Sequence, residues 1–204
     1  MPGVLEMHPF LWDGYKMRDL GTLGGTHGVS TNINQAGDVV GWTFTTGNAT
    51  AHTFLWTDRT GMQDMGTLPG QPCSYADSIN AHDQIVGGTC TGATNDEGDG
   101  WLWTNGALHD LNSMVAPSPS LTQIRQANTI NDQGEIAAVG IVNGNKHVVL
   151  LVPSALAANE ALRTNLPASA TASTAAVRSS SSARVNLLPL LRGSRPRGYH
   201  LRAG

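Results

Sequence analysis

The chain has 204 residues, of which 40% are hydrophobic and 13% charged, and it contains 24 glycines. This composition supports a packed core, and the abundance of glycine with little charge favours tight turns between short strands over solvated helices. Residues 1–153 hold five Lys or Arg and 14 Asp or Glu, a net charge of −9, so the body of the chain offers no basic surface to a nucleic-acid backbone.

The sequence also carries information about membrane insertion and cellular location. No run of about 18 apolar residues occurs, which argues against a transmembrane helix. The first ten residues, MPGVLEMHPF, lack the basic start and apolar stretch of a secretory signal. We therefore expect either a cytoplasmic protein or a true start upstream of Met1.

The first predicted strand is HPFLW, residues 8–12, whose alternation puts Phe10 and Trp12 on one face and Leu11 on the other. Nearly the same pentapeptide recurs as HTFLW at 52–56, and a third copy reads DGWLW at 99–103. Each copy precedes a related segment with Asp followed by an apolar residue. These segments are residues 17–23, 62–68 and 108–112.

A second repeated element lies between these copies and reads Ile-Asn-x-x-Gly-x-Val-Val-Gly. Its copies cover residues 33–41, 79–87 and 130–136. Asn opens a turn and the Gly three residues later accepts a positive φ, so each copy predicts a hairpin. In the second copy Asp83 replaces that Gly, and Asp is among the few residues that tolerate the left-handed region.

Together these elements predict four short strands per unit: one ending in Ile-Asn, one ending in Val-Gly, the aromatic one and the Asp-Leu-Gly one. Four strands in about 45 residues is the length of a β-propeller blade. We therefore predict an all-β tandem array of propeller-like units over residues 4–153, with a partial unit, two full units and a terminal partial unit. The repeated Trp and Phe positions would cover neighbouring units.

These motifs resemble the HAF-repeat family, described as extracellular repeat proteins of bacteria. The resemblance rests on HPFLW with 17–25 and 33–41, then on HTFLW with 62–70 and 76–87, and on the terminal segments 110–112, 130–132 and 147–153. This sequence departs from the family pattern at Pro9 and Thr53 in the Ala slot, Asp99 in the third His slot and Pro69 in a Gly slot. The resemblance implies an extracellular location and supplies no activity.

After Pro153 the chain becomes rich in Ala, Ser and Arg. Residues 154–204 hold seven Arg and one Glu, a net charge of +6. Low complexity with one sign of charge predicts a mostly disordered tail. A basic tail of this kind is usually solvated, so no nucleic-acid partner is predicted.

Several polar side chains share repeat slots and are candidates for either chemistry or structure. His8, His52 and His147 share a slot with Asp99, and three imidazoles with a carboxylate would suit zinc or iron if the units met around a channel. The structural alternative is that each His bonds a neighbouring strand of its own unit. The full set of repeat positions interpreted as structural is His8, Trp12, His52, Trp56, Trp103, Asp19, Asp64, Asp110, Asn34, Asn80 and Asn131.

The Asp members of this set suit turn or backbone capping, because equivalent carboxylates in equivalent units would not differ in pKa as acid and base must. Residues 95–100 resemble the start of a calcium loop, but Gly106 stands where an EF-hand needs Glu. Cys73 and Cys90 flank a predicted hairpin and would form a disulfide in an exported protein, or remain thiols in the cytosol. No cofactor is predicted, with Ca or Zn as the weak alternative.

The sequence contains no nucleotide-binding, serine hydrolase or zinc protease motif. We expect a non-catalytic scaffold or binding module whose loops at 43–51, 69–76, 89–99 and 113–123 contact a protein or glycan. The alternatives are a metal-dependent hydrolase using the His/Asp slots and a purely structural surface component. An open array would also self-associate through unpaired strand edges.

Overall fold

A computed structural model describes residues 6–92, 97–116, 118–154 and the backbone of 198–201. Its strands, in chain order, are β1 Phe10–Trp12, β2 Met17–Asp19, β3 Gly24–Ile33, β4 Val39–Thr45, β5 Ala51–Thr57, β6 Gly61–Gly66, β7 Cys73–Ile79, β8 Ile85–Cys90, β9 Glu97–Thr104, β10 Ala107–Asp110, β11 Leu121–Ile130, β12 Ile136–Val142, β13 Asn145–Ser154 and β14 Gly198–Leu201. A short 3-10 turn, Thr46–Asn48, and one helical turn, α1 Leu111–Met114, complete the described elements. The all-β prediction is confirmed.

The strands form four antiparallel sheets. Sheet 1 is β1-β2, sheet 2 is β3-β4-β5-β6, sheet 3 is β7-β8-β9-β10, and sheet 4 is β11-β12-β13-β14. No pairing among the described strands closes these sheets into a barrel. Four strands per unit were predicted, with one correction: Val-Val-Gly opens the second strand, since β4 begins at Val39 and runs on to Thr45.

The hairpins that join the first two strands of sheets 2, 3 and 4 have the predicted turn. Gly37, Asp83 and Gly134 all have positive φ, at 88°, 57° and 78°. In each copy the backbone N–H of this residue donates to the carbonyl of the preceding Asn, at 2.9 to 3.3 Å. The Asn-x-x-Gly pattern therefore fixes the register of three separate strand pairs.

Consecutive sheets pack face to face through opposite sides of each strand. On β5, Phe54 and Trp56 pack with Leu20 beside sheet 1, whereas Leu55 packs toward sheet 3. The core between sheets 2 and 3 contains Val40, Leu68, Ala76, Ile79, Ile85 and Trp101. Each sheet thus buries both faces only where it has a neighbour on both sides.

The largest core lies between sheets 3 and 4. Val86 and Leu102 of sheet 3 pack there with residues of β11, β12 and β13, including Ile124, Ile136 and Leu151. All five of these side chains are at most 1% exposed. Leu111 of α1 joins the same cluster, so this helical turn closes the core beside the loop that follows it.

The glycines of the repeated Val-Gly pair allow the first two strands of a sheet to approach closely. A Cβ on Gly41 would lie 2.0 Å from the Val29 carbonyl oxygen, and one on Gly87 would lie 1.9 Å from the Tyr75 carbonyl oxygen. In sheet 4 the slot holds Ala138, which is 1% exposed. A shift of register lies beside this slot in all three sheets, at 30–32, 76–78 and 127–129.

The up-and-down order of the strands separates two ends of the array. One end carries the Asn hairpins at 34–38, 80–84 and 131–135, and we call it the ladder end. The opposite end carries the segments 46–50, 67–72, 91–92 and 115–120, as far as the structure describes them, and we call it the variable end. The described parts of the four loops predicted to vary lie at the variable end.

The outer strands of the array are formed differently from the others. Met7 makes a parallel bridge with His27 and so ties sheet 1 to β3. The fourth strand of sheet 4 is β14, whose Gly198–Leu201 pairs with 151–154 of β13, a strand that the sequence did not predict. The rest of the predicted disordered tail, residues 155–197 and 202–204, lies outside the described residues.

Helices contribute little to the fold. Within the part of the chain that the structure describes, none has the length and apolar character needed to cross a membrane.

Candidate functional site

The three repeated asparagines form a ladder of hydrogen bonds along the ladder end. In each copy the Asn side-chain oxygen accepts two backbone N–H groups, from the second and fourth residues after it, at 2.9 to 3.0 Å. The side-chain amide then donates to residue 38, 84 or 135 of its own hairpin. Every asparagine thus holds its own turn closed.

The same amides also join successive units. Asn34 Nδ2 donates to the Asn80 carbonyl at 3.4 Å, and Asn80 Nδ2 donates to the Asn131 carbonyl at 3.0 Å. Asp132 adds a further link, because its carboxylate accepts the Ala81 N–H at 2.9 Å. These asparagines act within the structure, and their hydrogen-bonding groups are engaged there.

The first two histidine slots each hold a His–Asp pair within one unit. His8 Nδ1 lies 2.8 Å from Asp19 Oδ2, and His52 Nδ1 lies 3.0 Å from both carboxylate oxygens of Asp64. Because a carboxylate can only accept, Nδ1 of each ring carries the proton. The pairs connect the third and fourth strands of a unit, as the structural interpretation expected of the histidines.

The same carboxylates cap the turn that follows them. Gly21 N–H donates to Asp19 and Gly66 N–H donates to Asp64, at 2.8 and 2.7 Å. In the third unit the Asn112 N–H donates to Asp110 in the same way, at 2.8 Å. The hydrogen bond from Gly21, followed by that from His8, lowers the pKa of Asp19. The Asp slot is therefore a capping position in all three units.

The third unit replaces the His–Asp pair by a carboxylate held by amides. Asp99 Oδ1 accepts from Asn112 Nδ2 at 3.1 Å and from Gln123 Nε2 at 2.8 Å, and Asp99 Oδ2 accepts from Gln71 Nε2 at 3.0 Å. Gln71 precedes sheet 3, Asn112 lies in α1 and Gln123 lies in β11. Asp99 thus joins three separate parts of the chain at the variable end.

The four candidate metal ligands, His8, His52, Asp99 and His147, do not meet. Two are paired with Asp residues of their own sheets, Asp99 is held by three amides, and His147 lies opposite Gly140 of β12. Among the described residues, no three His, Cys, Asp or Glu side chains are grouped so that they could hold a metal ion. Of the calcium-like segment 95–100, residues 95 and 96 and the side chain of Glu97 lie outside the described residues.

A disulfide joins Cys73 and Cys90, which face each other in the register of β7 and β8. Their Cα atoms are 5.5 Å apart, within the ordinary range for a cystine. Both residues are buried and pack with Ala51, next to Trp42 and Tyr75. The bond fixes the start of sheet 3 at the variable end.

One half-buried carboxylate, Asp77, lies outside the repeat slots. Asp77 occupies a β-bulge of β7, and its Oδ2 accepts from Gln126 Nε2 of the next unit at 2.6 Å. Burial raises the pKa of Asp77, partly offset by this hydrogen bond. Thr31, two residues before Ile33 as Asp77 is before Ile79, donates instead to the Ala76 carbonyl at 2.8 Å.

A surface pocket of about 340 Å³ opens at the variable end. The chain after α1 forms one wall with Val115 and Ser118, and the start of β11 forms the other with Leu121 and Thr122. Asn112 and Gln123, two of the three amides that bind Asp99, also line it. Its lining is mixed, with apolar groups beside hydroxyl and amide groups.

Sequence reasoning missed the partners of these residues. Nothing in the repeat marks Gln71, Asn112 or Gln123 as neighbours of Asp99, because they come from segments that differ between units. The one available signal was that Asp99 stands in the slot that holds His in the first two units. An acceptor in place of His needs a different partner, because it cannot donate to an Asp carboxylate. No protein-family model, no curated protein and no solved structure matches this chain, so the HAF-repeat resemblance stays a prediction.

Proposed function

We propose that this chain is a non-catalytic repeat scaffold of propeller-like units, at work outside the cell, that contacts a protein or glycan through the loops of its variable end. The observation that carries the proposal is that the two ends of the array differ in how their residues are used. The ladder end repeats the same residues and engages them in bonds within the structure. The variable end collects the segments whose sequences differ.

Two further features support this reading. The repeated His and Asp side chains bond each other or cap backbone, which is what a scaffold requires of them and leaves no pair singled out for acid–base work. The disulfide between Cys73 and Cys90 suits an oxidising compartment, where such bonds persist.

The pocket beside α1 gives the variable end a concave surface for a ligand. It joins apolar side chains with hydroxyl groups, a combination that suits the mixed faces of a sugar ring or a short peptide. A glycan is the ligand class to test first, since its hydroxyls would meet Ser118 and Thr122 while its carbon face meets Val115.

The test compares two threonines of the same strand. Thr122 lines the pocket at the variable end, whereas Thr129 lies toward the ladder end of β11, and both are exposed. The labelled full chain and its T122R and T129R variants are applied to an array of soluble glycans. We expect T122R to lose the signals that the natural chain gives and T129R to keep them. Equal loss in both variants, or no signal above background for the natural chain, would count against glycan binding at this end.

A further inference from the structure

The two outermost sheets expose apolar faces that the inner sheets bury. Sheet 1 packs against sheet 2 through Leu11, so the opposite face of β1 and β2 has no neighbour among the described residues. Sheet 4 packs against sheet 3 through Val149 and Leu151, and no sheet of the described residues packs on its opposite face. We call these the front face and the back face.

The front face carries Phe10, Trp12 and Met17 beside the His8–Asp19 pair. They lie on one side of the two-stranded sheet, because Trp12 pairs with Met17 and Phe10 pairs with Asp19. The exposed fractions are 53% for Phe10, 58% for Trp12 and 63% for Met17. Three large apolar side chains side by side are unusual on the surface of a protein that stays alone.

The corresponding slots of sheet 2 show what covers such a face. Phe54 and Trp56 occupy the positions of Phe10 and Trp12, and they are 0% and 4% exposed. They are covered by the preceding sheet through Leu11 and Leu20. In sheet 3 the slot of Phe54 holds Trp101, which is buried against Val40 and Leu55 of sheet 2.

The back face consists of Ala137, Val139, Val148 and Leu150. Register places Ala137 opposite Leu150 and Val139 opposite Val148, so the four side chains share one side of sheet 4. Val148 is 80% exposed, whereas Thr53, which holds the same slot in sheet 2, is fully buried. Leu150 holds the slot of Leu55, which covers sheet 3.

We propose that a second copy of this chain covers these surfaces, with the back face of one copy packed on the front face of the next. The front face has the slots that receive a preceding sheet, and the back face has the slots that cover a following sheet. The contact between Leu55 and Trp101 within the chain is thus repeated between chains by Leu150 and Phe10. The two faces differ, so the contact is head-to-tail and builds a ring or a filament according to its rotation.

This contact lies away from the variable end, so assembly is independent of ligand binding by the loops. It is also distinct from pairing of unpaired strand edges, because it buries side chains rather than backbone groups. Assembly therefore depends on side chains that can be changed without altering a strand pair.

The experiment measures the mass of the full chain by light scattering across a wide range of concentration. The natural chain should gain mass as its concentration rises. A front-face variant, F10D with W12D, and a back-face variant, V148D, should each associate at least about tenfold more weakly, since each would bury an unpaired charge. Y15D is the control, because Tyr15 is 93% exposed and lies in the turn between β1 and β2.

Mixing the two variants separates head-to-tail contact from other arrangements. Each variant keeps the face that the other has lost, so an equal mixture should form a dimer with one copy of each and grow no further. A natural chain that stays monomeric at every concentration would overturn the proposal. Association that survives V148D, or a mixture that stays monomeric, would overturn it as well. Circular dichroism on each variant checks that the fold is retained.

Discussion

At the scale of single residues, the three asparagines have the same local role but different surroundings. Asn80 stands between the other two, receives the amide of Asn34 at its carbonyl and gives its own amide to Asn131. It is 3% exposed, whereas Asn131 is exposed and, among the described residues, its amide donates only to Glu135 of its own hairpin. The cost of losing a hydrogen bond rises when the remaining partners cannot reach water.

We therefore expect N80A to lower the free energy of unfolding by about 3 kcal/mol, because two partly buried N–H donors and the Asn131 carbonyl lose their partner. N131A should cost about 1 kcal/mol, since its partners can bond water instead. Urea unfolding followed by tryptophan fluorescence measures both. Equal losses in the two variants would show that the link between units contributes nothing beyond the turn itself.

Asp77 gives a pH dependence whose sign follows from its burial. Burial raises its pKa, so the folded chain holds the proton more tightly than the unfolded chain. Stability linked to this group is therefore present below the unfolded value of 3.8 and is lost as pH rises through the folded pKa. Asn at this position could still accept from Gln126 and would carry no charge.

We expect D77N to be more stable than the natural chain at neutral pH, and this gain to disappear well below pH 3.8. Melting temperatures of both proteins across that range test it. D132N is the control, because Asp132 is exposed and an Asn there could still accept the Ala81 N–H. A D77N gain that is the same at every pH would contradict the desolvation of the carboxylate as its cause.

At the scale of elements, the hairpins were predictable and the contacts between sheets were not. The Asn-x-x-Gly turn is local, so its sequence contains every group that it needs, and the positive φ of Gly37 follows from that pattern. The His–Asp pairs bring together residues 11 or 12 positions apart on neighbouring strands. Periodicity placed both residues on strands without showing the register that makes them meet.

Other features could not be predicted from the sequence, because they depend on contacts between residues far apart in the chain. The pairing of β14 with β13 joins residues about 50 positions apart in a segment without any repeat pattern. The three amides around Asp99 come from loops that have no counterpart in the other units. The expectation that all repeated aromatics are covered is wrong at Phe10 and Trp12, which remain exposed.

The close approach of β7 and β8 gives a sharp test at this scale. G87A should lower the free energy of unfolding by about 3 kcal/mol, because its methyl would overlap the Tyr75 carbonyl, which is fixed in the strand pair. G88A is the matched control: its methyl would lie 3.4 Å from the end of the Gln126 side chain, which is ordinary contact. Thermal unfolding measures the loss of stability in both variants. Similar losses in G87A and G88A would contradict a clash specific to Gly87.

At the scale of the whole molecule, stability comes from sheets that cover one another. Trp101 shows this, because it is fully buried between sheets 2 and 3 and its Nε1 donates to the Gly88 carbonyl at 2.9 Å. Phe10 holds the same repeat slot on sheet 1, which has no neighbour on that side within the described part of the chain. Comparing the two positions therefore separates the effect of having an aromatic residue in this slot from the effect of burying it.

W101A should lower the free energy of unfolding by about 4 kcal/mol, because it leaves a cavity and an unpaired carbonyl in the core. F10A should change it by less than about 1 kcal/mol when measured at a dilution that keeps the chain monomeric. Hydrogen exchange should show protection falling in sheets 2 and 3 together for W101A. Loss confined to β9 would mean that the sheets unfold independently.

The amide that links one asparagine hairpin to the next has a consequence for how such chains change length. Each unit brings both halves of the contact, the amide that donates forward and the carbonyl that receives from behind. An in-frame duplication of one unit would therefore insert a segment that already fits both of its new neighbours. Gain or loss of whole units requires no compensating substitution, while the loops at the opposite end stay free to diverge.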